Sequence, residues 1–233
     1  MILAVNTSTM QFSIALLKES GVVAAEYLIS PSTKDFRGFM PGLHSLFKAS
    51  GTKTGDLKAI VVTIGPGSFT GLRVGLSTAK GMAHGLGIPL VGISGLDAMA
   101  AQPAATEYPV CPLITSRKGE VFAALYQRGP DGELSRQKEE ASFKFEEIKN
   151  IIDETTIFLG NDYESQWRPL KDALGSLAMP APVHLWNLKA SVVGALGLKR
   201  FQKNDFDNIL DLVPRYYRPP DIRANPFRLI SQK

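Results

Sequence analysis

A glycine-rich segment between an apolar run and a helical pattern is the first candidate for chemistry in this chain. It spans Gly65–Gly75 and reads GPGSFTGLRVG. The free backbone N–H groups and the helix dipole at such a strand–turn–helix junction can bind a phosphate group. The dinucleotide pattern G-x-G-x-x-G fails because Thr70 stands at its sixth position, and the Walker pattern fails because no Gly-Lys-Ser/Thr follows. The alternative is a tight turn in which the hydroxyl of Ser68 caps the helix and accepts from the amide of residue 70 or 71.

Side chains that could act as nucleophiles or metal ligands are few. The three histidines are His44, His84 and His184. They form no His-x-x-x-His pair, so the sequence predicts neither a helical two-histidine metal site nor a metalloprotease. Cys111, the single cysteine, heads a predicted strand and is interpreted as a small core residue. Because Thr70 breaks the Gly-x-Ser-x-Gly pattern around Ser68, we predict no catalytic residue and no metal site.

The helix predicted from about Ser68 to Leu86 carries small residues on two opposite faces. One stripe is Gly71, Gly75, Ala79 and Ala83, and the other is Ser77, Gly81 and Gly85. The two stripes are offset by about 200° around the helix, and each glycine inside a helix costs roughly 0.5–1 kcal/mol against alanine. Close packing on both faces would compensate, with one face on the sheet and the other on a helix of the same chain or of a partner subunit. The candidate partner interface is Gly71, Gly75, Leu76, Ala79, Met82 and Ala83.

Apolar runs separated by turn residues predict the elements that position this segment. Strands are expected at Ile2–Val5, Phe12–Leu17, Val22–Ile29, Ala59–Ile64 and Pro89–Ile93, with helices at Phe36–Phe47 and Ser68–Leu86. A meander followed by strands that alternate with helices predicts a mixed sheet in an α/β fold. Pro41 removes a backbone donor inside the first helix and should bend it. Ser94 is expected to cap a short helix that begins at Gly95.

The second half of the chain is less regular. A hairpin is expected at Val110–Thr115 and Glu120–Tyr126, a strand at Ile157–Gly160, and helices at Phe145–Ile152, Trp167–Leu177 and Leu188–Gln202. Trp167 and Trp186 are predicted to pack in this half of the protein. From Pro214 onward the pattern favours an extended tail. Three residues near its start could stack on a base, dock a partner or fold back on the body: Tyr216, Tyr217 and Arg218.

Composition excludes several classes of protein. The 233 residues are 44% hydrophobic and 21% charged, which is typical of a globular chain. No apolar stretch approaches the ~20 residues of a membrane span, and Met1–Asn6 reads as a strand, not as a signal peptide. We therefore expect a cytoplasmic protein with no membrane contact. The net charge of +4 is mild, and the basic residues near the end of the chain alternate with aspartates, as on a solvated face.

Four segments carry a resemblance to a known family. They are Ile2–Ser8, Gly65–Gly75, Arg117–Phe122 and Pro214–Arg218. In order, they resemble the opening strand and turn, the central hallmark block, the second-domain hairpin and the closing Pro-x-Tyr-x-Arg element of the TsaB/YeaZ family. This family supplies the bacterial subunit of the machinery that makes threonylcarbamoyladenosine in tRNA. The similarity covers nearly the whole chain.

The resemblance implies a fold and a division of the chain. The fold is that of the acetate-kinase, sugar-kinase, Hsp70 and actin superfamily, with two ribonuclease-H-like subdomains built from mixed sheets and flanking helices. Residues 1–100, completed by the helix at 188–202, would form the first subdomain. Residues 101–218 would form a smaller second subdomain, and residues 219–233 an extended tail.

The resemblance also implies a function and partners. The chain would be a non-catalytic subunit of the complex that transfers a threonylcarbamoyl group to adenosine in tRNAs that read ANN codons. The expected partners are a catalytic TsaD-type paralogue and a TsaE-type ATPase, with a homodimer when the chain is alone. tRNA would be met only through the complex. The wider family also carries the older description glycoprotease or M22-type peptidase.

We expect no cofactor, and the alternative is a nucleotide bound where the chain meets its partner. The candidate residues for ATP or ADP with magnesium at a complex interface are Thr7, Ser8, Thr9, Gly65, Gly67 and Ser68. The family turn usually opens with aspartate where this chain has Asn6, and the hairpin usually reads Asp-Ala-Arg where this chain has Thr115–Arg117. Both changes remove a carboxylate, a preferred ligand of hard cations. The alternatives are a stand-alone ATPase or phosphotransferase and a tRNA-binding module that uses the basic C-terminal region.

Overall fold

The fold consists of two five-stranded sheets with helices on their faces, in a computed structural model that describes residues 1–29, 36–103 and 106–217. The first half contains β1 (Ile2–Asn6), β2 (Phe12–Leu17), β3 (Val23–Ile29), α1 (Phe39–Ser50), β4 (Ala59–Gly65), α2 (Phe69–Leu86), β5 (Leu90–Ser94) and α3 (Gly95–Ala100). The second half contains β6 (Val110–Arg117), β7 (Glu120–Arg128), β8 (Leu134–Lys144), β9 (Thr156–Gly160), α4 (Tyr163–Leu174), β10 (Ala178–Pro180) and α5 (Ala190–Gln202). Short 3-10 helices lie at Thr54–Asp56, Phe145–Ile151, Gly175–Leu177 and Val183–Leu185.

Both sheets are mixed, as the sequence predicted. The strand order of the first sheet is β3-β2-β1-β4-β5, with β1 antiparallel to β2 and parallel to β4. The order of the second sheet is β10-β9-β6-β7-β8, with β6 antiparallel to β7 and parallel to β9. Each sheet therefore combines an antiparallel meander with parallel strands. The predicted fold class is confirmed.

Successive side chains of a strand point to opposite faces of its sheet, and the described residues form three hydrophobic cores on these faces. In β1, Leu3 and Val5 face a core shared with α1 and α2, while Ile2 and Ala4 face a core shared with α3 and α5. That second core also contains Val110 and other residues of the second sheet. The far side of the second sheet packs against α4. The layers therefore run α1/α2, first sheet, α3/α5, second sheet, α4, and the helix predicted at 188–202 packs on the first sheet as α5.

Three details of the sequence interpretation are corrected. The helix α1 begins at Phe39, so Pro41 lies in its first turn, where a backbone N–H has no partner within the helix. Pro41 therefore removes no hydrogen bond of the helix, and a bend is not expected at this position. The sequence pattern missed β8 because its residues are mostly charged, and it missed the three-residue strand β10. The proposed division near residue 100 stays a prediction, and the expected tail at 219–233 lies outside the described residues.

Candidate functional site

The two segments that sequence analysis singled out for chemistry lie against each other. The turn after β1, residues Asn6–Thr9, packs on the loop between β4 and α2, residues Gly65–Ser68. The backbone N–H of Ser68 donates to the carbonyl of Ser8 over 2.7 Å. Gly67 has a φ of +148°, and a Cβ atom on it would overlap the Ser8 carbonyl, so only glycine fits there. The structure thus brings the predicted residues of the two segments into direct contact.

Asn6 stabilises this contact between the turn and the loop from inside the protein. Its side chain is fully buried, and its Oδ1 accepts from the Ser8 N–H at 3.1 Å, the Ser8 hydroxyl at 2.7 Å and the Thr63 hydroxyl at 3.2 Å. Its Nδ2 donates to the carbonyl of Leu188 over 3.1 Å, just before α5. The amide therefore uses both its donor and its acceptor. An aspartate could not donate to Leu188 in its ionised form.

Thr7 fills the space beside the start of α2. Its buried hydroxyl donates to the carbonyl of Gly71 over 2.7 Å. A Cβ atom on Gly71 would overlap the Thr7 carbonyl oxygen, and one on Gly75 would overlap the Thr7 hydroxyl. These glycines of α2 are therefore required by the turn after β1, within the same chain. Ser68 caps the helix, since its hydroxyl accepts from the Gly71 N–H at 3.2 Å, as the sequence predicted.

The residues present do not fit a bound nucleotide phosphate. Thr7, Ser8 and Thr9 are all at most 2% exposed, and their hydroxyls donate to partners within the chain. Gly65 is closed from the other side, because a Cβ atom on it would lie 2.6 Å from the Arg215 carbonyl oxygen. Neither a free hydroxyl nor open space remains at the turn. Asn6 in place of the usual aspartate is explained by internal packing instead of by metal binding.

The predicted partner interface on α2 needs a correction. Gly71, Gly75, Leu76, Ala79 and Ala83 are buried in this chain, and only Met82 stays partly exposed. The reason is that this stripe of small residues packs on the turn after β1 and on the first sheet. A partner cannot reach these five residues in this conformation.

The opposite stripe of α2 is open. Ser77, Gly81 and Gly85 are exposed, and a Cβ atom on either glycine would meet no atom of the described residues within 4 Å. At the N-terminal end of the helix this face is bordered by Phe69, which is 43% exposed. We call this surface, Phe69 with Ser77, Gly81 and Gly85, the open face of α2. No helix of the described ranges 1–29, 36–103 and 106–217 covers it.

Phe69, Arg73 and Tyr216 form a cluster at the N-terminal end of the open face. The guanidinium carbon of Arg73 lies 3.7 Å from the ring centre of Phe69. Its Nε donates to the hydroxyl of Tyr216 over 3.1 Å, and the rings of Phe69 and Tyr216 are 5.1 Å apart. Tyr216 therefore folds back on the body of the protein, one of the options that the sequence left open. Arg218 lies outside the described residues.

The remaining chemistry candidates are structural. Cys111 is fully buried, and burial raises the pKa of its thiol well above the ordinary value, so a reactive thiolate does not form. His44 and His84 are exposed on different helices. Within the described part of the chain, no three His, Cys, Asp or Glu side chains come close enough to hold a metal ion. Trp186 is buried and Trp167 packs on the second-sheet core, as predicted.

Sequence analysis missed a polar cluster between the two sheets. Glu140 of β8 is 8% exposed. Its carboxylate accepts hydrogen bonds from the Ser94 hydroxyl at 2.5 Å, from Arg136 at 2.8 Å and from the Tyr217 hydroxyl. Arg136 also binds Asp97 at 2.5 Å, and Asp97 accepts from Tyr126 at 2.7 Å. Burial raises the pKa of Tyr217 to about 12, helped by its hydrogen bond to Glu140. The alternation of Arg136 and Glu140 within a charged stretch was the only available signal.

A cleft of about 700 Å³ opens beside the β6–β7 hairpin, which contains the third resemblance segment, Arg117–Phe122. Its lining includes Arg117, Lys118, Glu146 and Asp172, so charges of both signs face it. Thr115 is held by Asn161, which accepts from its N–H at 2.8 Å and its hydroxyl at 3.1 Å. The hairpin threonine therefore serves packing, like Asn6 in the first sheet.

These features define the class of protein. Two mixed sheets built on one plan, with a turn after the first strand that meets a glycine loop, form a fold that known structures share. A solved structure with this fold is the activator of the 2-hydroxyisocaproyl-CoA dehydratase from Clostridium difficile with bound ADPNP. It covers 87% of this chain and 97% of its own, with a TM-score of 0.50 and 14% identity. A Pseudomonas aeruginosa protein with similarity to peptidase YEAZ covers 93% of this chain and 99% of its own, with a TM-score of 0.77 and 23% identity.

Sequence comparisons show the family. The family model described as TsaD, tRNA N6-adenosine threonylcarbamoyltransferase, matches residues 36–224. The tRNA threonylcarbamoyladenosine biosynthesis protein TsaB of Bacillus subtilis is 30% identical over 226 residues, which is 96% of each chain. The chain therefore belongs to the TsaB/YeaZ family. In the described part of the chain, no helix combines the length and apolar character needed to cross a membrane.

Proposed function

We propose that this chain acts in the biosynthesis of threonylcarbamoyladenosine in tRNA, as a subunit that supports catalysis without performing it. The pathway is supported by the name of the Bacillus subtilis relative, whose similarity extends over 96% of both chains. The complex would transfer a threonylcarbamoyl group to adenosine of ANN-decoding tRNAs. This chain would meet tRNA only through that complex.

One observation carries the non-catalytic role: the turn after β1 is filled by its own chain. The Thr7 hydroxyl is committed to Gly71, and the Asn6 amide is committed to Ser8, Thr63 and Leu188. Reacting groups must be accessible to a substrate and aimed at it, whereas these side chains are buried and bonded within the chain. The buried thiol of Cys111 offers no alternative nucleophile.

The partner is a TsaD-type paralogue, and the proposed contact is the open face of α2. A helix can approach closely where glycines leave room, and Gly81 and Gly85 leave that room. Phe69 supplies apolar area at the N-terminal end, and Arg73 adds a cation that is common at interface hot spots. The same face would serve a homodimer when the chain is alone. A TsaE-type ATPase would join the assembled pair.

A reconstitution experiment tests this proposal. The purified chain, the TsaD-type and TsaE-type proteins of the same organism, threonylcarbamoyl-adenylate and unmodified tRNA are combined with each protein left out in turn. We expect modification only when this chain and the TsaD-type protein are both present, and none from this chain alone. Turnover by this chain alone would contradict the non-catalytic role.

The competing hypothesis of a stand-alone ATPase is tested on the isolated chain. Isothermal titration with ATP and magnesium should show no micromolar binding, because the hydroxyls of Thr7 and Ser8 are buried and donate to groups of the same chain. Micromolar binding by the lone chain would support the ATPase. A steep salt dependence of direct tRNA binding would support the third hypothesis, a tRNA-binding module.

A further inference from the structure

Residues 205–217, which we call the strap, run along the end of the first sheet after α5. At its start, the Asp207 carboxylate accepts from the N–H of Gly92 over 2.7 Å, and the Asp207 N–H donates to the carbonyl of Leu90 over 2.9 Å. In its middle, Lys80 of α2 donates to two strap carbonyls at 3.0 and 3.2 Å. Near its end, the Arg215 N–H donates to the carbonyl of Ile64 over 2.7 Å. The strap is thus fastened beside the Gly65 loop.

The last two described residues of the strap point to two different parts of the protein. Tyr216 is 44% exposed and contacts Phe69 and Arg73 at the N-terminal end of the open face of α2. Tyr217 packs on Phe122 of the second sheet with ring centres 6.1 Å apart, and its hydroxyl donates to Glu140. One peptide bond therefore separates a surface contact from a contact between the two sheets.

Through Glu140, the contact of Tyr217 connects the two sheets. It belongs to β8 in the second sheet, and it also accepts from Ser94 at the end of β5 in the first sheet over 2.5 Å. Its second oxygen faces Tyr217. Hydrogen bonds to a carboxylate are stronger than those between neutral groups, and losing one leaves a buried acceptor without its donor.

We propose that the strap is a latch that couples a partner on the open face of α2 to the junction of the two sheets. This rests on the proposed function, since the partner is the TsaD-type subunit seated on that face. Because Tyr216 and Tyr217 are consecutive, the contact of Tyr216 with Phe69 and Arg73 and the bond of Tyr217 to Glu140 hold the same stretch of backbone, so each favours the other. A partner that contacts Tyr216 therefore binds the latched state and stabilises it by mass action. By linkage, the latch in turn raises the affinity for the partner.

The latch is tested first in the free chain, without any partner. Amide hydrogen exchange at Arg215 reports opening at the Tyr217 end, and exchange at Gly92 reports the Asp207 end. We expect Tyr217→Phe to speed exchange at Arg215 by about tenfold or more, because the bond to Glu140 is lost. Exchange at Gly92 should stay within about twofold. The matched control Tyr216→Phe keeps its ring on Phe69 and loses one exposed hydrogen bond, so it should leave both amides nearly unchanged.

The coupling is tested with the TsaD-type protein added to saturation. We expect exchange at Arg215 in the unmodified chain to slow by at least about tenfold, because the partner does not bind the open strap. Tyr216→Ala, which removes the ring between partner and latch, should abolish most of that slowing while the complex still forms. Circular dichroism and exchange of core amides show that the variants remain folded.

The outcomes separate the two proposals. Equal exchange at Arg215 in the Tyr217→Phe variant and the unmodified chain overturns the latch. A complex that forms without slowing exchange at Arg215 overturns the coupling. Failure of any complex to form overturns the proposed partner and with it the coupling, while the result in the free chain still decides whether the latch exists.

Discussion

The hydroxyl of Thr7 donates a 2.7 Å hydrogen bond to the carbonyl of Gly71, and both residues are buried. This contact joins the turn after β1 to the first turn of α2. The same contact explains why α2 carries glycine at two successive turns, since a side chain on Gly75 would overlap Thr7.

Adding one methyl group at Gly75 should destabilise the protein. Gly75→Ala forces the new Cβ atom into the Thr7 hydroxyl, and such overpacking lowers the free energy of unfolding by about 1–3 kcal/mol. Urea denaturation measures this change. The control Gly81→Ala has open space and should be neutral or gain up to ~1 kcal/mol from helix propensity. Equal losses in the two variants would mean that the small stripe on Thr7 is not required by packing.

Restoring the aspartate that the family usually has should also destabilise this chain. Asn6→Asp removes the donor to the Leu188 carbonyl and places a buried carboxylate oxygen against that carbonyl. Burial favours the protonated form and raises the pKa of the new carboxyl. Because the folded state then holds the proton more tightly than the unfolded state, the stability of the variant should fall as the pH rises from acid to neutral.

Denaturation of Asn6→Asp at several pH values provides the measurement. The matched control is Asn161→Asp, because Asn161 uses its Oδ1 as an acceptor for Thr115 and Gln166. A carboxylate can do the same, so this control should lose little stability at neutral pH. An Asn6→Asp variant that is as stable as the control, or that gains magnesium affinity, would show that the turn remains able to act as a cation site.

The single thiol should be inert while the protein is folded. Cys111 is fully buried and the pKa of its thiol is raised by that burial, so no thiolate is available. A thiol reagent such as dithionitrobenzoate should react only at the rate of global opening under native conditions, and at once in strong denaturant. The chain has one cysteine, so the signal has a single source. Rapid stoichiometric reaction of the folded chain would contradict the placement of β6 in the core.

Tyr217 should titrate later than an ordinary tyrosine. Burial and the bond to Glu140 raise its pKa from 10.0 to about 12. The folded state therefore holds this proton more tightly, so its contribution to stability is present below pH 10 and is lost as the pH rises through 12. Subtracting the ultraviolet titration of Tyr217→Phe from that of the unmodified chain isolates this group. A midpoint at the ordinary value would show that Tyr217 does not meet Glu140 in solution.

Local patterns predicted most of the first half of the fold. The runs that became β1, β2, β4 and β5 are apolar on both faces, as expected for strands covered by helices on two sides. The Ser68 cap and the stop of α2 at Gly87 also follow from local chemistry. β8 could not be found in this way, because most of its charged side chains face solvent, and two of the partners of Glu140, Ser94 and Tyr217, are distant in sequence.

The orientation of α2 shows where sequence reasoning ends. Both stripes consist of small residues, so composition alone gives no reason to turn either of them inward. The choice depends on Thr7, which is 64 residues from Gly71 in the chain. Sequence analysis therefore located the helix and its unusual faces but assigned the partner to the buried stripe. The contacts of the folded chain leave the opposite one open.

The most direct test of the account measures binding of the TsaD-type protein to a variant of the open face. Gly81→Leu places a large side chain where this chain has open space, so the fold should be kept while a close partner helix is blocked. Gly55→Leu is the matched control, since Gly55 also has open space but lies in the Thr54–Asp56 turn, away from α2. We predict about five- to 150-fold weaker binding for Gly81→Leu, the equivalent of about 1–3 kcal/mol of overpacking at an interface, and unchanged binding for Gly55→Leu. Equal, undiminished affinity in both folded variants would contradict the claim that the open face of α2 seats the partner.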